Sequence, residues 1–191
     1  MKIVLASSNA HKVKEINAIV SGTSLEFILP PVGFDPLEDG NTFEENSLIK
    51  AKVAYELGKT WTLADDSGLC IDALNGAPGI HSARYADTPQ ARIDRVLTEM
   101  QGIENRSARF ICCMTLLNPQ GEVAFNYTGI CEGSIIDCQR GVNGFGYDPI
   151  FLLAGSDKTM AELSEEEKNK VSHRGKALNE VLKYLANFQL W

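Results

Sequence analysis

Four groups of residues in this chain combine types and spacings that can do chemistry. The first is Ser7-Ser8-Asn9-Ala10-His11-Lys12, a polar run between an apolar stretch and a helical pattern. Such a turn presents free backbone N–H groups at the positive end of a helix, which favours a phosphate, and Lys12 and Lys14 add to that field. The same residues also suit an Asn-capped helix start with solvated lysines, and no Walker signature is present. The second group, Asp65-Asp66-Ser67-Gly68, sets two adjacent carboxylates at the end of an apolar strand. Self-repulsion and desolvation make them costly there unless something positive binds. A divalent cation is the usual remedy, and hard oxygen ligands suit Mg²⁺, which takes one or two carboxylates plus substrate phosphates. Glu38, Asp39, Glu44 and Glu45 offer further carboxylates. The alternative is a carboxylate-capped turn in which Gly68 supplies a positive φ.

The third group is Gly141-Val142-Asn143-Gly144-Phe145-Gly146-Tyr147-Asp148-Pro149. Aromatics alternating with glycines offer a flat ring to a base while the backbone approaches closely, and Asp148 can accept from a ring N–H. A tight turn with its aromatics in the core fits equally. The fourth is Lys168 with Ser172-His173-Arg174-Gly175-Lys176, read as the start of the last helix with Ser172 as N-cap. Cations at a helix's positive end are misplaced unless an anion or an electron-rich group binds, although exposed ones cost only about 0.3–1 kcal/mol each.

The elements that must position these groups follow from periodicity. Residues 2–6 form a short apolar run, Val13, Ile16 and Val20 recur at helical spacing, and 25–29 reads as a second strand before a long loop ending at Gly40. Thr42 caps a helix with Phe43, Leu48, Ala51, Ala54 and Tyr55 inward, ending near Gly58. Residues 61–64 form a buried strand that runs into the carboxylates, 76–86 is irregular, and 88–100 is helical. Strands at 110–117 and 123–136 are joined by Asn118-Pro119-Gln120-Gly121, a hairpin turn by its chemistry. A glycine-rich loop covers 140–148, Ser164 and Glu167 form a capping box, and Leu178, Val181, Leu182, Leu185 and Phe188 stripe a final helix. The expectation is one compact α/β unit with a mixed sheet.

Composition sets the outer bounds. The 191 residues are 44% hydrophobic and 23% charged, with a net charge of −7, which suits a folded, mildly acidic chain and argues against disorder. The longest apolar run falls short of the ~18 residues of a membrane span, and the first residues are too short a run for a secretory signal. No basic stripe suits a nucleic-acid backbone. Five cysteines without a Cys-x-x-Cys pair read as buried free thiols in a reducing compartment, with no zinc site, so a cytoplasmic location is expected.

Taken together, Ser7-x-Asn9-x-x-Lys12, Thr42 to Asn46 with Lys50, Ala64-Asp65-Asp66-Ser67-Gly68-Leu69, Gly76-Ala77-Pro78-Gly79 through Ser82-Ala83-Arg84-Tyr85, Gly144 to Pro149 and Ser172-His173-Arg174-Gly175 resemble the inosine triphosphate pyrophosphatase family over nearly the whole chain. The resemblance implies an elongated α/β fold, a mixed sheet with flanking helices, and two lobes around a central nucleotide cleft. They form a single domain over 1–191 with no separate linker. It implies a Mg²⁺-dependent homodimer that hydrolyses ITP, dITP and XTP to the monophosphate and pyrophosphate, cleansing the nucleotide pool. Carried over by position, it implies that Ser7, Ser8, Asn9, Ala10, His11 and Lys12 cradle the triphosphate, with Lys50 reaching it from behind. Asp66 would be catalytic base and metal ligand, Glu38 the second metal ligand, and Ser67 would touch the substrate. Phe145, Gly146, Tyr147 and Asp148 would hold the base, with Lys168, His173 and Arg174 closing over it. The chain has Leu37-Glu38-Asp39-Gly40 where many bacterial members show Glu-Glu-Thr-Gly, so Glu38, Asp39 and Glu45 all compete for the second metal position. Two rival readings are a pyrophosphatase for modified pyrimidine triphosphates and a nucleotide sensor without hydrolysis. The intact Asp65-Asp66 pair, Lys12 and Lys168 weigh against the sensor.

Overall fold

The computed structural model describes residues 1–8 and 10–187. Its elements begin as a parallel β-α-β unit: β1 (Lys2–Leu5), α1 (Ala10–Ile19) and β2 (Glu26–Ile28), with Ile3 opposite Phe27. Helix α2 (Phe43–Gly58) follows, and Thr42 caps it by accepting from the Glu45 N–H. Then come β3 (Thr62–Ile71), α3 (Pro89–Glu99), β4 (Ser107–Leu117), β5 (Val123–Ile135) and β6 (Phe151–Leu153), with α4 (Glu165–Val171) and α5 (His173–Asn187) last. The sheet order is β2-β1-β3-β4-β5-β6, with β1 parallel to β2 and β3, and β5 antiparallel to β6. This is the mixed α/β sheet with flanking helices that the sequence leads one to expect.

The chain divides into two compact units. The first comprises Met1–Asp66, Cys113–Thr128 and the chain from Ala177, and the second comprises Ser67–Cys112 and Gly129–Lys176. Strands β3, β4 and β5 each contribute residues to both. In the first unit Val4, Ala6, Ala51, Ala54, Ala64 and Leu117 form a buried core, where small alanines let α2 lie close to the strands. In the second, Leu69, Ile71, Val96, Met100, Phe110, Ile150 and Phe151 are central to a larger one. There Gly133 is required by close approach: a Cβ on it would lie 2.2 Å from the Leu152 carbonyl oxygen across the β5–β6 pair.

Three expectations need correction. Strand β3 does not end before the carboxylates but runs through Asp65, Asp66, Ser67 and Gly68 to Ile71. Ladder partners on the sheet hold the backbone extended there, which local turn chemistry does not reveal. Lys168 is not at the start of the last helix: it sits with Lys170 in the last turn of α4, where cations suit the helix dipole, and Glu165, Glu166 and Glu167 occupy its first turn. The five thiols are all free but not all buried, since Cys138 is exposed and Cys70 only half-buried. The sequence also gave no sign of β6, whose three residues are too few for a period. Phe188 lies outside the described residues, and among the described residues no helix is long and apolar enough to cross a membrane.

Candidate active site

In the first unit the two carboxylates are separated by the geometry of the strand itself. Successive side chains on a strand leave in opposite directions, and each aspartate meets a lysine from a different helix. Lys12 Nζ, from the first turns of α1, lies 2.9 Å from both Asp65 Oδ1 and Oδ2. Lys50 Nζ, from the buried face of α2, lies 2.6 Å from Asp66 Oδ1 and 3.4 Å from Glu38 Oε2. The chain therefore supplies part of the positive charge that the sequence argument left to a bound ion. Asp65, Asp66 and Lys50 are all buried. Burial pushes the Asp66 carboxyl above the usual carboxylate value, with Glu38 and Asp65 adding to the push and Lys50 resisting it. Burial works to lower the Lys50 ammonium, but Asp65, Asp66 and Glu38 together outweigh it and hold it above its ordinary value.

Glu38 is brought here by a loop that α2 fastens down. Asn46 Oδ1 accepts from the Gly40 N–H at 2.9 Å, and a Cβ on Gly40 would come within 2.8 Å of that oxygen, so only glycine lets the loop lie so close. Of the three competing acids, Glu45 is engaged in capping, accepting from the Asn41 N–H, and Asp39 is exposed. Glu38 is the one that joins Asp66, through Lys50. A cavity of about 270 Å³ is lined by Ser7, Ser8, Lys12, Glu38, Lys50 and Asp65, with Phe34 and Pro36 at its side. Asn9 lies outside the described residues, as do the side chains of Ala10, His11 and Lys14.

The donor set tests whether a divalent cation belongs here. Asp66 Oδ2 is buried and has no hydrogen-bond partner, a condition costly enough to call for one. With Glu38 it makes an all-oxygen pair of the kind that hard cations accept. Among the described residues no group of three or more His, Cys, Asp or Glu gathers into a metal cage. The residues thus fit an ion that keeps waters and takes its remaining ligands from phosphate, the habit of Mg²⁺.

In the second unit the glycine-aromatic loop splits its two rings. Phe145 is 53% exposed, while Tyr147 is buried in the core and its hydroxyl donates to the Ser82 carbonyl at 2.9 Å. Ser82 in turn accepts the Leu69 N–H at 2.9 Å and donates to the Gly79 carbonyl at 2.6 Å. It thereby ties the loop to β3, three residues beyond Asp66. Asp148 is buried, and its Oδ2 accepts from the Phe145 N–H at 2.8 Å and from Lys168 Nζ at 2.5 Å. Lys168 Nζ stands 4.6 Å from the Phe145 ring centroid and Arg174 Cζ 5.6 Å. His173 is buried and stacks on Phe110 at 4.8 Å, while Ser172 Oγ accepts the Gly175 N–H and caps α5. Ser67, half-buried, is joined to Asp66 by a single peptide bond.

Sequence reasoning gave no role to Ser82 or Asn46. The signal for Asn46 is its spacing, one turn ahead of Lys50 on the inner face of α2, while the roles of Ser82 toward Leu69 and Tyr147 join positions 13 and 65 residues apart, and its bond to Gly79 alone is local.

The first unit thus holds a basic and acidic pocket fit for phosphate and a hard cation, and the second an exposed ring ringed by donors, the equipment of an α/β nucleotide-handling protein. The sequence profile of the Ham1 family matches residues 3–184. The chain is 46% identical over 194 residues to a dITP/XTP pyrophosphatase of Treponema denticola, covering 97% of this chain and 98% of that one. It is 47% identical over 193 residues to one of Oceanobacillus iheyensis, covering 96% and 98%. Among solved structures, a HAM1 protein from Coxiella burnetii superposes with a TM-score of 0.89 at 41% identity, covering 98% of this chain and 99% of that one. The Staphylococcus aureus Ham1 protein gives 0.88 at 39% identity, with the same coverage. The chain belongs to the Ham1 family.

Proposed function

We propose that this protein hydrolyses the non-canonical purine nucleoside triphosphates ITP, dITP and XTP to the monophosphate and pyrophosphate, with Mg²⁺ as cofactor. The two units act as lobes of one catalytic domain, and the protein works as a cytoplasmic homodimer on the nucleotide pool. The observation that carries the reading is the Lys12–Asp65 and Lys50–Asp66–Glu38 cluster at a phosphate-sized cavity, with one oxygen of Asp66 buried and unsatisfied. The relatives' shared name, dITP/XTP pyrophosphatase, over nearly their full length supports it.

In this reading Asp66 and Glu38 hold the divalent ion, which when bound neutralises phosphate oxygens and lowers the pKa of a water. The chain's own groups do the rest. Asp66 takes the proton of a water as that water's oxygen attacks the α-phosphorus. The α–β bridging P–O bond breaks, and the leaving pyrophosphate is received by Lys12, Lys50 and the backbone N–H groups at the start of α1. Ser7 and Ser8 line the cavity there, the same reading gives Asn9, Ala10 and His11 a share in binding the triphosphate, and Ser67 meets the substrate next to Asp66. Phe145 stacks on the base, Gly146 lets the backbone approach it, and Asp148 holds Lys168 in place. Lys168, Arg174 and His173 offer donors to a 6-oxo group. Adenine presents an amino group in that position, leaving such donors unpaired at about 1–3 kcal/mol each.

The test is pyrophosphate release from ITP, XTP, ATP and GTP, with Mg²⁺ and with the metal chelated. Metal-dependent release from ITP and XTP with little from ATP or GTP is expected, the 6-oxo donors setting ATP apart and the 2-amino group setting GTP apart, since guanine shares the 6-oxo group. Equal release from all four would discard the account of the base site, and none would discard the function. The homodimer is checked by light scattering on the eluting protein, where a monomer mass would refute it.

A further inference from the structure

Glu38 stands at the centre of a three-residue turn, in which the Asp39 N–H donates to the Leu37 carbonyl at 3.1 Å. One short bond closes such a turn, so its central side chain is aimed by whatever fixes the two arms. The arm before Glu38 contains Leu37, which is 77% exposed, and packs on the core of the first unit at Phe34. The arm after it is pinned twice to the start of α2: the Gly40 N–H donates to Asn46 Oδ1 at 2.9 Å, and the Asn41 N–H to Glu45 Oε2 at 2.6 Å. These two clamps are unequal. Glu45 is exposed and shares its donor with water, whereas Asn46 is fully buried and does not.

The other half of the Asn46 amide is costly. Its Nδ2 is buried and has no hydrogen-bond partner among the described residues. An unpaired buried donor makes asparagine a poor choice for stability alone, which points to what the paired oxygen does. Asn46 also lies one helical turn before Lys50 on the buried face of α2. A single helix face thereby fixes both the backbone two residues beyond Glu38 and the ammonium that meets the Glu38 and Asp66 carboxylates.

We propose that Asn46 is a positioning residue for the divalent cation. By fastening Gly40 to α2 it selects Glu38 from the acids of this segment, holds it beside Asp66, and so sets the affinity for Mg²⁺ without touching the ion. The inference rests on the function proposed above and deepens it by naming what decides the second metal position. Loss of a group that orients a metal ligand typically costs 10–100-fold in metal affinity. Asn46 acts through two residues of backbone, so the lower end, about tenfold, is expected.

The experiment is the Mg²⁺ concentration that gives half-maximal pyrophosphate release from ITP by the full chain. Asn46→Ala removes the acceptor, and Gly40→Ala breaks the same clamp from the other side, since its Cβ would lie 2.8 Å from Asn46 Oδ1. Both are expected to raise the half-saturating Mg²⁺ about tenfold while the rate recovers at high Mg²⁺. A rate lowered at every Mg²⁺ concentration with half-saturation unchanged is the mark of a merely structural role and overturns the proposal. Mn²⁺ binding by the nucleotide-free chain, followed by the electron paramagnetic resonance of the free ion, should weaken by the same factor; equal binding by altered and unaltered chains refutes it. Glu38→Gln also raises half-saturation, and adding Asn46→Ala to it changes little, because both act on one ligand. A further tenfold rise in that double variant, or a rise in Asp39→Asn as large as in Glu38→Gln, overturns the route through Glu38. Absence of turnover by the unaltered chain overturns the pyrophosphatase reading instead.

Discussion

Gly144 and Gly146 flank Phe145, and both have positive φ, +75° and +61°. An alanine at either carries the left-handed backbone cost of about 1–2 kcal/mol. Their surroundings differ. A Cβ on Gly146 meets nothing within 4 Å, whereas one on Gly144 would lie 2.1 Å from Asp148 Oδ2 and 3.0 Å from Lys168 Nζ. The atom that must yield is the end of a short, buried side chain, and if it swings away it forfeits the Lys168 ammonium and the Phe145 N–H together. One hydrogen bond to a charged group contributes about 1.5–3 kcal/mol. Counting the Lys168 contact alone, Gly144→Ala is expected to lower unfolding free energy in urea by about 2.5–5 kcal/mol, against about 1–2 kcal/mol for Gly146→Ala. With Asp148 displaced, Lys168 loses its anchor over the ring, so KM for ITP rises at least about tenfold in Gly144→Ala and far less in Gly146→Ala. Equal losses in the two variants, in stability or in KM, would refute the view that the Asp148–Lys168 contact is what Gly144 makes room for.

Asp66→Asn removes the proposed base and metal ligand, and turnover is expected to fall about 10²–10⁴-fold while nucleotide binding survives. Near-normal rates in that variant would take Asp66 out of the mechanism. Ser82→Ala strands the buried Leu69 N–H, and a loss of about 1–3 kcal/mol in urea unfolding is expected; an unchanged midpoint would show that water replaces the hydroxyl. Burial pushes the Tyr147 phenol from 10.0 up to about 12. Below pH 10 the folded and unfolded chains both keep that proton. As pH rises further the unfolded chain ionises first, so stability falls between pH 10 and 12. The fall is read as the difference in urea midpoint between pH 9 and pH 11, and Tyr147→Phe should show less of it.

What is local in the chain was legible before any coordinates. Thr42 and the Ser164–Glu167 capping box start their helices because a hydroxyl three residues ahead of a backbone N–H satisfies it wherever the chain goes. Strand β1, the helix after it and the turn at Asn118 follow from short-range periodicity and turn chemistry in the same way. The motif residues could be placed on these elements, and their types pointed to phosphate, cation and base. Tertiary structure decided the partners. Only the ladder shows β3 running through the two aspartates, and only the packing of α1 and α2 shows that Lys12 takes Asp65 while Lys50 takes Asp66 and Glu38. That Phe145 is exposed while Tyr147, two residues on, is buried and tied to Ser82 depends on a contact 65 residues away. Burial and hydrogen-bond partnership are properties of positions that meet in space, and a side chain's type says what bond it can make without saying which neighbour will be there to make it.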